Sequence, residues 1–308
     1  MNKFNNRNVF IEGGIIISVG IWFRKFHNNI YMNSNTIDKV RKRYKAITKR
    51  INLEYWNTES ETDNSLYVGS YGRGTEIFTS DIDIIVILPW ATKERFDNRI
   101  GNIQSQLLSE VKDKLTKTYS TSNLSSDGQV IVISFSDGIR YEIVPAFMYS
   151  DGSFCYPDTN DGGSWEKMDP KEEKKRFNAR HSTHNYTMKK ICRMIRCWRE
   201  TNDITMSGEL LDTVVYDYYL NASYVDNDPY IYFDWITRDF FKYLSENTHK
   251  TFYTPGTYRA LQFKYPYITA KKAKEAYKKS LEAIEDESKY PSLAKRSWRE
   301  IYGNKFSG

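Results

Sequence analysis

The sequence predicts an α+β fold: a mixed sheet with flanking helices, followed by a helical lobe, with an active-site cleft between the two. Three observations predict it. Apolar runs of strand length at residues 81–88, 129–135 and 139–147 sit among segments of helical period. A stretch rich in Gly, Pro, Asp and Asn at residues 150–170, "SDGSFCYPDTNDGGSWEKMDP", marks a loop or domain crossing. Every patterned segment beyond it has helical spacing, and 308 residues are enough for two lobes at about 100–150 residues each.

Taken in order, residues 13–23, "GGIIISVGIWF", form an uncharged apolar run behind Lys3 and Arg7. It resembles a weak signal peptide, yet it falls short of the roughly 20 residues of a membrane helix and no small-residue cleavage site follows. The expected readings are an extra strand packed on the core, or a start placed upstream of a native one at Met32, so residues 1–31 are set apart as an extension. Ile37, Val40, Tyr44, Ile47 and Ile51 recur at steps of three and four behind an N-cap at Asn35 or Thr36, which predicts an amphipathic helix over 36–51. Its other face carries Lys39, Arg41, Lys42, Arg43, Lys45, Lys49 and Arg50, which suits solvent or a nucleic-acid backbone, with solvent expected.

"SLYV" then leads through a glycine-serine turn into "DIDIIVIL", a buried strand, and a helix is predicted over 93–116. "QVIVISF" and "IRYEIVPAF" flank Ser136-Asp137-Gly138 and predict a hairpin beside that strand. Helices are expected at 172–200, 207–222, 232–246 and 269–286. The domain reading is a core over 32–165 and a helical lobe over 166–308.

Composition narrows the class. Apolar residues at 40% and charged residues at 27% are those of a soluble globular chain. A formal charge of +6 suits a partner carrying phosphates. Three cysteines, Cys155, Cys192 and Cys197, are too few and too odd in number for a disulfide framework, so a reducing, cytoplasmic setting without membrane insertion is expected.

The chemistry concentrates in "GSYGRGTEIFTSDIDIIVIL", residues 69–88. Side chains alternate across a strand, so Asp81 and Asp83 share a face two positions apart and repel unless a cation lies between them. Hard oxygen ligands in that arrangement suit Mg²⁺, which completes its shell with phosphate oxygens and water. Gly69 and Ser70 provide a turn open to an anion and a hydroxyl for phosphate, with Gly72 and Gly74 keeping it open. Glu142 interrupts an apolar strand and is the candidate third ligand, against its alternative as an edge acid facing water. His181, His184, Cys192 and Cys197 fall close together, but on a continuous helix the two thiols sit about 140° apart, so core thiols and surface histidines are expected rather than zinc.

"GS", "SDIDIIV" and then "EIVP" resemble the DNA polymerase β-type nucleotidyltransferase superfamily. More closely, they resemble the bacterial CD-NTases, the cGAS- and DncV-like enzymes related to oligoadenylate synthase, over about residues 36–222. That resemblance implies a polymerase β-like core and an oligoadenylate synthase-like lobe. It implies two Mg²⁺ ions, with Mn²⁺ as a substitute, held by Asp81, Asp83 and Glu142, where relatives often carry Asp at the third position. Gly69 and Ser70 would bind nucleotide. Arg196 in "RMIRCW", where relatives commonly have Lys, and Ser207 before "GELL" would contact the triphosphate; read from the residues alone, they are a solvated helix cation and an N-cap.

The implied activity is synthesis of a cyclic di- or trinucleotide from NTPs by 3′-hydroxyl attack on an α-phosphate, in CBASS anti-phage signalling, with the product sensed by a separate effector protein. An RNA-, tRNA- or small-molecule-modifying transferase of the same fold is the alternative. A nucleic-acid activator and a non-catalytic RNA-binding module are weaker readings, the latter because all three carboxylates are present.

Overall fold

The computed structural model of the chain describes residues 19–120, 122–222 and 229–307, in two compact units. Most of the extension expected at residues 1–31, including the start of its apolar run, lies outside the described residues. What is described of it is not a strand. It is helix α1 (Val19–Ile30), which puts Trp22, Phe23, Phe26 and Ile30 into the core of the helical unit. Apolar residues at steps of one, three and four make a helix stripe, a pattern that the preceding Ile run obscures in the sequence.

The sheet unit comprises residues 32–180 and 253–260. It begins with α2 (Ser34–Tyr55), whose N-cap Asn33 accepts a hydrogen bond from the Thr36 backbone N–H at 2.8 Å. Strand β1 (Ser65–Tyr67), the short helix α3 (Gly69–Arg73) and strand β2 (Ile82–Ile87) follow. The single helix expected over 93–116 is two, α4 (Trp90–Asp97) and α5 (Ile103–Thr116). The break falls where Gly101 takes a φ of +88° and Asn102 caps α5, signals that the surrounding periodicity masks.

Strands β3 (Asn123–Asp127), β4 (Val130–Ser134) and β5 (Arg140–Met148) come next, and the expected hairpin is β4 with β5, turning at Gly138 with a φ of +85°. The loop expected at 150–170 contains strands β6 (Phe154–Asp158) and β7 (Ser164–Met168), paired across the turn residues that made it read as a loop. The sheet runs in the order β1-β2-β5-β4-β3, with β6 on β5 and β7 on β6. It is mixed: β2 and β5 are parallel and every other pair in it is antiparallel. One face packs Ile82, Ile84, Val86, Tyr141 and Ile143 together with Val40, Ile47, Ile51, Leu107 and Val111 from α2 and α5. The other face has only a small cluster round Ile85, Ala146 and Phe154. Strand periodicity puts Asp81, Asp83 and Glu142 on this thinly covered face.

Helix α6 (Pro170–Thr183) lies mainly in the sheet unit, whose residues run to Arg180. The helix expected over 172–200 is thus divided, because Asn185 and Tyr186 take left-handed conformations before α7 (Met188–Thr201). The helical unit, residues 19–31, 181–252 and 261–307 as described, contains α1, α7, α8 (Gly208–Tyr218), α9 (Phe233–Asn247), α10 (Pro266–Asp286) and α11 (Pro291–Tyr302). Phe23 anchors α1 there, edge-on to Trp298 at 5.0 Å and to Phe306 at 5.3 Å. Among the described residues no helix is long and apolar enough to cross a membrane.

Candidate active site

The parallel register of β2 and β5 pairs Asp83 with Glu142, and Asp81 stands one residue before β2 on the same face. On the far side of β2, the Val68 N–H donates to the Asp83 carbonyl at 2.9 Å, which brings the turn that follows β1 against the acids. Gly69 makes this approach possible. Its φ is +56°, and a Cβ there would lie 1.9 Å from Asp83 Oδ2. Both the backbone conformation and the space exclude a side chain. Gly72 is equally constrained, since a Cβ would fall 2.5 Å from the Tyr67 carbonyl oxygen. Helix α3 closes at Gly74, whose N–H reaches the carbonyls of Ser70 and Tyr71, and Ser70 is buried in this turn.

Burial of Asp83, and next the neighbouring charge of Glu142, push its carboxyl from an ordinary 3.8 up to about 7, while Arg73 pulls the other way. A hydrogen bond to Glu142 also favours the protonated form. Asp81 and Glu142 share a cation: one guanidinium nitrogen of Arg140, Nη1, lies 2.9 Å from Asp81 Oδ2 and 2.8 Å from Glu142 Oε1. Among the described residues no three His, Cys, Asp or Glu side chains are already gathered as a metal would hold them.

The donor set nevertheless fits a hard divalent cation. Three carboxylates converge on one face, and burial together with the neighbouring charge of Glu142 raises the pKa of Asp83, a cost that a bound cation would offset. Arg140 and Arg73 are the functional neighbours the motif reading missed. Arg140 was legible in principle, because it precedes Glu142 by two and so shares its face of β5.

Arg196 and Ser207 belong to the helical unit. Arg196 is not presented to an anion. Its Nη2 lies 2.8 Å from Asp212 Oδ2, with both side chains at most 4% exposed, and it also donates to the Gly208 carbonyl at 3.0 Å. A Cβ on Gly208 would lie 2.5 Å from Arg196 Nη1, so the guanidinium lies flat against the start of α8 and ties α7 to it. The phosphate contact expected of Arg196 is corrected to an internal ion pair. Ser207 caps α8, its hydroxyl accepting from the Leu210 N–H at 3.1 Å. It also lines a cavity of about 560 Å³ with Arg199, Gln262 and Lys264.

The basic face of α2 is largely neutralised within the sheet unit. Lys39 and Arg43 hold Asp137, Arg41 holds Asp38, Lys45 holds Glu61, Lys49 holds Glu59 and Arg50 holds Glu54. Those pairs offset part of the positive charge a nucleic-acid track would use. Cys192 and Cys197 are buried, and burial pushes the Cys197 thiol up to about 12, a core thiol rather than a thiolate ligand.

Comparison with known proteins places the chain by family and by fold. The profile of the Second Messenger Oligonucleotide or Dinucleotide Synthetase domain matches residues 17–180, which include Gly69, Ser70, Asp81, Asp83 and Glu142. A probable cyclic nucleotide synthase of Bacillus cereus is 24% identical over 178 residues, 54% of this chain and 51% of that protein. The chain thus spans about half the length of the curated relative it matches. Among solved structures, Bradyrhizobium diazoefficiens CdnG in complex with GTP aligns with a TM-score of 0.70 at 11% identity, covering 94% of this chain and 96% of its own. Escherichia coli CdnC in complex with HORMA-deltaN aligns with a TM-score of 0.69 at 15% identity, covering 95% and 99%. Vibrio cholerae DncV, a cyclic AMP-GMP synthase bound to the linear intermediate pppA(3′,5′)pG, aligns at 0.66 and 13%, covering 94% and 88%. At these identities the likeness is one of fold.

Proposed function

Because the chain belongs to the Second Messenger Oligonucleotide or Dinucleotide Synthetase domain family, we propose that it is a CD-NTase that builds a cyclic di- or trinucleotide from NTPs. The observation that carries this reading is the β2–β5 register, which pairs Asp83 with Glu142 beside Asp81 and against a glycine that admits no side chain. Asp81, Asp83 and Glu142 would hold Mg²⁺ or Mn²⁺, two ions per site. When bound, these lower the pKa of the attacking 3′-hydroxyl and take up charge on the departing pyrophosphate. Gly69 lets the backbone approach the nucleotide, and Ser70 offers a hydroxyl to its terminal phosphates. Burial and the neighbouring charge of Glu142 raise the pKa of Asp83, and a bound cation would favour its deprotonated, ligating form. The linear intermediate then re-enters with its triphosphate in the donor position, so the same residues close the ring.

The setting that goes with this activity is the cytoplasm, in CBASS anti-phage defence, with a separate effector protein sensing the product. DncV and CdnG, which share the fold, are described with a linear dinucleotide and with GTP, and this supports NTPs as the substrates. The neutralised basic face of α2 disfavours an RNA-extending transferase of the same fold. The test is incubation with four labelled NTPs and Mg²⁺, then phosphatase and mass spectrometry. A phosphatase-resistant product, absent with Asp83→Ala, is the expected result. Label that appears only on added RNA or on a small-molecule acceptor would replace this reading with the alternative transferase.

A further inference from the structure

Arg140 bridges Asp81 and Glu142 with a single nitrogen, 2.9 Å from one carboxylate and 2.8 Å from the other. Its side chain is 40% exposed, so solvent reaches the bridge that holds the guanidinium. Arg73 also acts on the site, through Asp83. Three carboxylates therefore face two built-in positive charges, and a bare divalent cation arriving alone meets a nearly balanced site with a guanidinium in its way. A triphosphate changes that balance. It brings several negative charges of its own, which pair with the metal and offer the guanidinium another anionic partner.

On the reading that the three acids hold metal, we propose that Arg140 is an internal counter-ion that makes metal entry depend on the triphosphate. Arg140 stands in for the cation while the site lacks nucleotide and leaves Asp81 and Glu142 when nucleotide and metal arrive together. It acts as a positioning residue, through the carboxylates it holds. By linkage, the factor by which nucleotide tightens metal equals the factor by which metal tightens nucleotide, and Arg140 sets part of that factor. The benefit is chemical: acids kept bridged by a guanidinium do not collect divalent cations in unproductive arrangements between turnovers.

The test counts free Mn²⁺ by its electron paramagnetic resonance signal as the protein is added, with and without a non-hydrolysable ATP analogue, and takes as bound to protein only the Mn²⁺ lost beyond a protein-free control at the same analogue concentration. A charge beside a carboxylate changes that carboxylate's affinity for a cation by about tenfold or more. Arg140→Gln should therefore bind Mn²⁺ about tenfold more tightly than the wild type without nucleotide, and within about threefold of it with the analogue. A change below about twofold without nucleotide, or a loosening, overturns the proposal. The wild type supplies a test free of any folding defect, because its Mn²⁺ affinity must rise at least about tenfold when the analogue is added, and equal affinities overturn the proposal as well. Asp83→Asn separates the two levels. If that variant, with the analogue present, takes up as much Mn²⁺ beyond the protein-free control as the wild type does, the metal-site reading itself fails, whatever Arg140 does.

Discussion

Gly69→Ala is the sharpest perturbation of the site, because two separable costs meet at one methyl group. The first is the backbone: at a φ of +56° an L-residue pays about 1–2 kcal/mol that glycine does not. The second is contact. The new Cβ would lie 1.9 Å from Asp83 Oδ2, where unstrained contact needs about 3.5 Å, so carboxylate or turn must retreat by well over 1 Å. A misplacement of about 1 Å at a reacting centre costs on the order of 100-fold in rate. Gly138→Ala separates the two costs. Its φ of +85° is equally unfavourable to alanine, but a Cβ there meets nothing within 4 Å. Both variants should lose a few degrees of melting temperature, at about 2–4 °C per kcal/mol for a domain of this size. Only Gly69→Ala should lose pyrophosphate release from NTPs, by about 100-fold or more. Equal activity losses in the two variants would refute the claim that Gly69 exists to make room for Asp83.

The acids have a signature in stability as well as in rate. Asp83→Asn should abolish product formation yet raise the melting temperature at pH 8, by the equivalent of about 1–2 kcal/mol, because it removes a half-buried charge facing Glu142. The folded-state pKa of Asp83 is raised, so its contribution to stability is fully present below pH 3.8 and is lost as the pH rises through about 7. The gap between wild type and Asp83→Asn should therefore close as the pH is lowered from 8 toward 4, and melts across that range check the sign. Glu142→Gln should abolish activity and flatten the same pH dependence, because it removes the charge that helps raise Asp83. Arg196→Met should cost about 3–5 kcal/mol in denaturant melts by stranding Asp212 in the core, and pairing it with Asp212→Leu should recover most of that loss.

How much of this was legible in the sequence depends on how local each signal is. The three central strands, their hairpin and the site acids were legible because β-branched runs interrupted by acids have few other physical explanations. Strand β3, "NLSSD", was not, because an edge strand with polar side chains has no burial pattern to show. Strands β6 and β7 were hidden by the turn that joins them, the five residues Thr159-Asn160-Asp161-Gly162-Gly163 dominating two strands of five residues each. Both helices that were expected too long break at left-handed residues, Gly101 in one and Asn185 with Tyr186 in the other. Only the glycine is a visible breaker, and a single glycine costs too little to end a helix on sequence grounds alone.

The site residues divide along the same physical line. Asp81 and Asp83 announce themselves because alternation on one strand fixes their common face, and the pairing with Glu142 follows once β5 lies parallel to β2. The cations do not obey so simple a rule. Arg193, Arg196 and Arg199 recur every three residues along α7, and the period alone says only that they share a side of that helix. Arg196 points inward because Asp212 on α8 and the bare backbone of Gly208 receive it, a tertiary fact with no local trace. Arg140 is the converse case. Its place two residues before Glu142 fixes its face, and that face already holds an excess of carboxylates, so an electrostatic partnership was deducible before any coordinates. The general step is to ask, for every acidic constellation on a strand, which cation the same periodicity delivers to it, since that cation would compete with any metal the acids hold.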